Sequence, residues 1–491
     1  MAENLKVLFL SSEVMPFAKT GGLADVAGAL PIALKRAGVD VRLVMPFYRI
    51  IKEGAYENHL LIKDIEIPFG GRLLKANIFE TLLGADIPVY LVEREDMFDR
   101  PNLYGNSKGD YYDNLERFNF FAHSSLKTAQ GIGFTPDIIH CHDWQTGLAP
   151  ALLKGPYKKS NGLSNVATVF TIHNIGYQGI FTPEKLAVTG LSGPQFFHSE
   201  GLEYWGNISL LKAGIVYSDA ITTVSPTYAS EIFAHEYGLG MEGVVLSRSK
   251  SLRGILNGID YNEWDPSKDT HLAASYSRKE IGEKKKCKES LIKEMGFRHS
   301  MLGRPLIGMV SRLDNQKGLD ILVQSLEDVL KLDTNLVILG SGDEKIEEAL
   351  KKAADQHADR VAIHTGFDNS LAHRIMAGAD ILLVPSRYEP CGLTQMYALK
   401  YGTVPVVRAT GGLNDTIEQF DEKTMTGNGF KFERYDSEAL LMAVKQAVDL
   451  FKNKKVWRKI MATGMDSDFS WDKSAGDYIK IYESIRHPLT A

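Results

Sequence analysis

Val7-Leu8-Phe9-Leu10, followed by Lys19-Thr20-Gly21-Gly22-Leu23 and then by Val26, Leu30, Ala33, Leu34 and Ala37 at helical spacing, is the stretch that decides the fold. A short apolar run ending near Ser11 reads as a buried strand, and apolar residues three and four apart read as a helix packed on it. Gly21 and Gly22 fall just before the helix. Small residues there let backbone approach a phosphate, and the free N–H groups at the positive end of the helix dipole attract one. Pro31 lies inside the pattern and predicts a kink. The loop is not a Walker loop, because its lysine precedes the glycines.

The same alternation runs through the chain. In the first half the predicted strands are 39–45, 89–92, 138–140, 166–172, 220–224 and 255–257; in the second half they are 306–311, 336–340, 361–364, 381–385 and 404–408. Strands alternating with helices imply parallel pairing and an α/β fold of two doubly wound, Rossmann-like sheets. The predicted domains are 1–258 and 259–470, with a last helix, 471–491, returning to the first domain. A hinge is placed near Gly258 to Asp265. The Lys-rich stretch from Asp265 to His299, with Lys284-Lys285-Lys286 inside it, reads as a solvated helix face.

With 491 residues, two cores are expected. The composition, 44% hydrophobic and 24% charged, is that of a globular protein, and a formal charge of −5 provides no net basic field for nucleic acid. No window approaches the ~20 apolar residues that span a bilayer. Three widely spaced cysteines, Cys141, Cys287 and Cys391, do not make a disulfide framework. A cytoplasmic protein with no nucleic-acid or membrane partner is expected.

In open parallel sheets, ligands bind beyond the carboxyl ends of the strands, and two such sheets facing each other would share a cleft there. The candidate residues all fall at such ends. Arg312 and Lys317, in Ser311-Arg312-Leu313-Asp314-Asn315-Gln316-Lys317-Gly318, could present a fork and a point charge to a pyrophosphate. Glu389 lies on a loop closed by Pro390, ahead of Cys391-Gly392-Leu393-Thr394, where a carboxylate could accept hydrogen bonds from sugar hydroxyls while N–H groups behind it hold phosphate. Gly411 and Gly412 repeat the glycine-before-helix device. Taken singly, each has a plainer reading: a strand-to-helix turn, an exposed ion pair, a helix-capping glutamate.

His140-Cys141-His142-Asp143 is rich in metal-ligand types, but alternation along a strand separates His140 and His142 from Cys141 and Asp143, so no metal is expected. Asp143 and His173, each at a strand end, are the better candidates there. Gly238-Leu239-Gly240-Met241-Glu242-Gly243 has dinucleotide-fingerprint spacing but follows a helical segment instead of a strand, and Gly340-Ser341-Gly342 lacks the third glycine. A nicotinamide enzyme is disfavoured.

KTGGLADVAGALP (19–31), HDWQTGL (142–148), TIHN (171–174), LKAGI (211–215), TVSPTY (223–228), LNGID (256–260), residues 311–320, PSRYEPCGLTQMYAL (385–399) and TGGLNDT (410–416) resemble, in order and over essentially the whole chain, the bacterial glycogen synthase and plant starch synthase family. The resemblance implies the glycosyltransferase-B architecture and transfer of glucose from ADP-glucose to the 4-hydroxyl at a non-reducing end of an α-1,4-glucan, with retention of configuration. ADP-glucose and glucan are then substrates, and no cofactor is implied. By the same resemblance, Arg312 and Lys317 hold the pyrophosphate and Glu389 the donor glucose. Lys19, Gly21 and Gly22 approach phosphates and sugar, and Asp143, His173 and Asn174 surround the reacting glucose. Asp25, Tyr104, Asn257 and Thr394 line the nucleotide or sugar side, and Phe367 offers its face to the base. Cys391 adjoins the site, with Gly392 and Leu393, and would expose activity to thiol reagents. A UDP-glucose-dependent enzyme and a catalytically silent glucan-binding protein are the alternatives.

Overall fold

The computed structural model describes residues 5–486. They form two compact units, one built from the chain up to Gly258 together with the segment from Trp471 on, the other from Ile259–Ser470. Among the described residues, no helix is long and apolar enough to cross a membrane.

The first unit is organised on a nine-stranded sheet. From edge to edge it runs Leu252–Gly254, Ala220–Thr223, Ala167–Ile172, Ile138–His142, Lys6–Leu10, Asp40–Pro46, Ile87–Glu93, Arg72–Leu83 and His59–Phe69. The first seven pair in parallel. The last two form an antiparallel hairpin joined antiparallel to Ile87–Glu93. The parallel pairing expected for the core is present, and an antiparallel hairpin that the sequence reading did not include extends one edge. The hairpin escaped the sequence reading because most of His59–Phe69 is solvent-exposed and its register is interrupted, so no clean apolar run marks it. The strand expected at 255–257 lies three residues earlier, at Leu252–Gly254.

Numbering only the seven parallel strands along the chain, the order across the sheet is 3-2-1-4-5-6-7, and the direction of winding reverses between Lys6–Leu10 and Ile138–His142. Their register, Val7 opposite Ile138 and Leu10 opposite Cys141, brings the loops that follow both strands to one end of the sheet. The helix Gly22–Arg36 runs unbroken with Pro31 buried inside it. The terminal helix, Trp471–Ile485, packs on it and is anchored by Arg36–Asp472 at 2.6 Å, by the Ser474 hydroxyl donating to Leu256 O at 2.6 Å, and by a 2.8 Å bond between Tyr482 Oη and His140 Nδ1.

The second unit carries a six-stranded, all-parallel sheet: Val361–Thr365, Asn335–Gly340, Leu306–Val310, Ile381–Val384, Val404–Arg408 and Phe430–Phe432. In chain order this is 3-2-1-4-5-6, the dinucleotide-fold order, with its switch point between Leu306–Val310 and Ile381–Val384. The helix Leu319–Lys331 buries Leu319, Leu322, Leu326, Val329 and Leu330 against Ile307, Met309, Ile338 and Ile381. Each such side chain, fully buried, contributes about 1.5–3 kcal/mol.

The Lys-rich helix Lys284–Glu294 is not simply a solvated face. Lys284 is buried, donating to Met376 O, Ala377 O and Thr403 Oγ1 at 2.7–3.3 Å, and burial pushes its ammonium down to about 7. Lys288 is buried against Asp380 at 2.6 Å. Lys284 reaches the carboxyl end of the helix Asn369–Gly378 and Lys288 the connection between that helix and the next strand, which charge counting along the sequence does not reveal.

His373, on that helix, is buried with Asp269 at 2.7 Å and lies flat on Trp264, ring centroids 3.9 Å apart. Burial alone would depress its basicity, but the Asp269 and Glu263 carboxylates outweigh it and carry the imidazole up to about 9. Its pKa is raised on folding, so its contribution to stability is complete below the ordinary value near 6.5 and is lost as pH rises through about 9. At about 1.4 kcal/mol per unit, the loss is on the order of 3–4 kcal/mol. Melting curves between pH 6 and 10 should show the second unit weakening over that window, and His373→Gln should flatten the dependence; equal slopes in both proteins would refute the assignment.

Candidate functional site

In the first unit, the loop after Lys6–Leu10 is organised by a residue that sequence reasoning did not select. Glu13 is buried, and its carboxylate accepts from Thr20 N at 2.5 Å, Thr20 Oγ1 at 2.6 Å, Gly21 N at 3.1 Å and Tyr104 Oη at 2.7 Å. Tyr104 also meets Ser12 Oγ at 2.7 Å. One carboxylate thereby fixes the backbone of the Lys19–Gly22 segment and places Tyr104 beside it. Its only sequence signal was a lone acid just past a strand end. Lys19 pairs with Asp25 at 2.6 Å across the first helical turn, both side chains partly exposed.

Gly21 and Gly22 meet no atom within 4 Å of where a Cβ would stand, and neither has positive φ. The fold itself therefore does not demand glycine at either position, whereas a ligand approaching the helix start would. Gly28, by contrast, is required by packing: its Cβ would lie 2.6 Å from Met15 O.

The loop after Ile138–His142 supplies the second half of this site. The strand ends at His142, and Asp143 turns the chain with φ 54° into a short helix, so the alternation assumed for His140–Asp143 stops one residue early. The four residues serve different purposes. His140 bonds Tyr482 and, at 2.6 Å, Thr171 Oγ1, which docks the terminal helix. Cys141 is buried. His142 Nδ1 and His173 Nε2 are 3.0 Å apart, and Asp143 Oδ1 accepts from His173 N at 2.7 Å. Among the described residues, no group of His, Cys, Asp and Glu is disposed to hold a metal ion.

Burial governs the titration here. It pushes His173 down to about 3 and His142 well below the usual range, so both imidazoles are neutral. It pushes the Asp143 carboxyl up to about 7, against the opposing pull of the His173 and Asn174 N–H groups and with a further push from the Glu13 charge. Asp143 is thus coupled electrostatically to the Lys19–Gly22 loop through Glu13.

In the second unit, the two loops at the switch point meet. Lys317 Nζ and Glu389 Oε2 are 2.6 Å apart, with side chains only 15% and 9% exposed. Ser386 Oγ donates to the same Glu389 oxygen at 2.9 Å. Gln316 ties the loops together, its carbonyl accepting from Arg387 N at 2.8 Å and its amide donating to Tyr388 O at 3.2 Å. Arg312 pairs with Asp314 at 2.8 Å and with Gln316 at 3.0 Å, its side chain half exposed. Lys317 and Glu389 are therefore in direct contact, while Arg312 flanks them through Gln316.

Glycines close this arrangement for steric reasons. Gly318, φ 74°, would place a Cβ 2.0 Å from Pro385 O, and Gly411, φ 45°, would place one 1.9 Å from Glu389 O. Gly392, φ 69°, lies below Glu389, and Leu393 precedes the helix Thr394–Lys400. Gln395 donates to Cys391 O and Gly392 O, clamping the turn. Cys391, next to the Glu389 loop, is 5% exposed.

Two candidates stand apart from these clusters. Phe367 follows the strand Val361–Thr365 with its ring 86% exposed. Asn257 is buried in the first unit with its Oδ1 unpartnered.

Residues 6–247 match the starch synthase catalytic domain, and residues 293–461 match the glycosyl transferases group 1. A glycogen synthase of Anaeromyxobacter sp. (strain Fw109-5) is 45% identical over 99% of this chain and 100% of its own, and one of Koribacter versatilis (strain Ellin345) is 43% identical over the same shares. Among solved structures, the catalytic domain of starch synthase IV from Arabidopsis thaliana, bound to ADP and acarbose, superposes with a TM-score of 0.91 at 33% identity, covering 98% of this chain and 99% of that one. A sucrose-phosphate synthase from Thermosynechococcus elongatus shares the fold, with a TM-score of 0.62 at 17% identity over 98% and 99% of the two chains.

Proposed function

Because the chain belongs to the starch synthase catalytic domain family and has its glycosyltransferase-B architecture, we propose that it is a glycogen synthase, moving glucose from ADP-glucose to the 4-hydroxyl at a non-reducing end of an α-1,4-glucan with retention. The observation that carries this reading is the buried Lys317–Glu389 pair at the switch point of a six-stranded dinucleotide-type sheet.

Cleaving a glycosyl phosphate bond develops negative charge on the leaving oxygen and positive charge on the sugar ring. Cations already fixed at the diphosphate stabilise that change without reorganising, and such preorganisation is commonly the largest catalytic contribution. In this proposal Lys317 and Arg312 serve the diphosphate, and Glu389 accepts hydrogen bonds from the donor glucose. Gly392, Leu393 and Thr394 provide backbone beside it, and Phe367 provides a stacking face for the base. In the first unit, Lys19 with Gly21 and Gly22 offers groups suited to phosphate and sugar, Asp143, His173 and Asn174 offer groups suited to glucose, and Asp25, Tyr104 and Asn257 offer groups suited to the nucleotide or the sugar.

A retaining glycosidase would use two carboxyl groups about 5 Å apart. In the second unit's cluster Glu389 is instead paired with a lysine, and Asp314 with Arg312. The leaving phosphate is the natural acceptor for the proton of the incoming hydroxyl, so the reading calls for no cofactor and for a cytoplasmic enzyme that meets both substrates there. Incorporation of radiolabelled glucose into glycogen, with ADP-glucose and UDP-glucose offered separately, tests it. Transfer from ADP-glucose with marked preference over UDP-glucose is expected, and absence of transfer from either donor would refute it.

A further inference from the structure

His142 closes the strand Ile138–His142 with none of its surface exposed, its ring packed against Phe9 and His140 at centroid distances of 4.8 and 4.2 Å. Enclosed in this way, it can act on a substrate only through a neighbour. That neighbour is His173, whose Nε2 stands 3.0 Å from His142 Nδ1. The other two ring nitrogens differ in their surroundings. His142 Nε2 is buried with no hydrogen-bond partner among the described residues. His173 Nδ1 also lacks a protein partner among them, but it belongs to a ring that is only partly buried, and it keeps solvent access. The backbone around His173 is pinned, its own N–H donating to Asp143 Oδ1 at 2.7 Å and that of Ile175 to Tyr228 Oη at 3.0 Å.

Both imidazoles are neutral, so each ring carries one proton and the contact between them admits two arrangements. If His173 Nε2–H donated, the proton of His142 would lie on its own Nε2, and a buried N–H would have no acceptor. If His142 Nδ1–H donates, the buried nitrogen is a bare lone pair, and the proton of His173 lies on Nδ1, where solvent or a ligand can meet it. A buried donor without an acceptor is the rarer defect in folded proteins, an under-used acceptor the more tolerable one. The second arrangement is therefore the favoured one.

We infer that His142 is a positioning residue for glucose transfer: it donates Nδ1–H to His173 Nε2 and thereby fixes His173 as the Nδ1–H tautomer, a hydrogen-bond donor toward a sugar oxygen. With Nε2 already accepting and Nδ1 already protonated, His173 is no base for the proton of the incoming hydroxyl. The role in transfer rests on the glucan-synthase reading above, whereas the tautomer does not.

Proton–nitrogen correlation spectra of the full chain labelled at histidine read the tautomer without substrate, the His173 signals being identified by their absence from His173→Gln. Nδ1 in the protonated range and Nε2 in the unprotonated range are expected, and the reverse pattern would overturn the inference. His142→Phe keeps a ring against Phe9 and His140 but removes the donor. Its kcat should fall about 10- to 100-fold, the cost of a small misplacement beside a reacting centre, with the KM for ADP-glucose and the melting temperature near those of the wild type. His142→Asn, whose amide NH₂ stands where Nδ1–H does, should recover most of the loss. Turnover of His142→Phe equal to wild type would overturn the positioning role, and so would an asparagine variant no better than phenylalanine when both melt normally. Should His142→Phe not fold, the wild-type spectrum and the turnover of His142→Asn still decide. Wild-type protein that shows the expected tautomer but transfers no glucose would overturn the functional reading and leave the hydrogen bond standing, whereas an active wild type with the reverse pattern would overturn this inference alone.

Discussion

Lys317→Ala is expected to lower kcat/KM by about 10³, and Glu389→Ala by a similar factor, when glucose transfer to glycogen is measured at saturating acceptor. The expectation follows from preorganisation, since removing one fixed group that opposes developing charge commonly costs about 10²–10³ in rate. The structure adds a complication, because the two side chains neutralise each other at 2.6 Å in a largely buried position. Deleting either partner strands the other, which costs about 3–5 kcal/mol in a buried pair, so each single variant should also melt several degrees lower. Lost activity could then be mistaken for lost fold. The variant carrying both Lys317→Met and Glu389→Gln separates the two, because neutral groups of similar shape remove the stranded charge. It should regain most of the melting temperature and none of the turnover. Recovery of activity together with stability would show that the pair is structural and would remove it from the catalytic assignment.

Glu13→Ala should be the next most damaging change, lowering kcat/KM by about 10² and destabilising the first unit by ~2–4 kcal/mol. Its carboxylate accepts from Thr20 N, Thr20 Oγ1, Gly21 N and Tyr104 Oη, and each buried donor left without an acceptor costs about 1–3 kcal/mol unless water reaches it. Glu13→Gln should fall between wild type and alanine, since its NH₂ would face donors where the carboxylate now accepts. Amide exchange at Thr20 and Gly21 gives a readout that does not depend on catalysis: protection should drop in both variants. Normal exchange with impaired activity would mean that Glu13 acts by some route other than holding the loop.

The alternation of apolar runs with helical spacing was enough to read the two parallel cores, because a strand buried on both faces must be apolar throughout and a helix packed on it must repeat every three or four residues. The Arg312–Gly318 and Glu389–Thr394 segments were legible for a related reason. Glycine, proline and charge together at a strand end have few uses apart from a turn or a ligand. The hairpin Arg72–Leu83 with His59–Phe69 was not legible, since a half-exposed edge pair needs no continuous apolar run. Lys284 and Lys288 were misread because a lysine that reaches a buried carbonyl or carboxylate is indistinguishable, in a string of letters, from one that reaches water.

What the sequence by itself determined is local: which segments are strands or helices, and which residue types stand where strands end. Tertiary structure alone decided that Glu13 holds the Lys19–Gly22 loop, that His140 belongs to the terminal helix while His142 belongs to His173, and that Lys317 and Glu389, 72 positions apart, share a contact. The reason is that hydrogen bonds and ion pairs are fixed by distance and direction in space. The order of strands across a sheet sets those distances, and a linear sequence states that order only after the chain has folded.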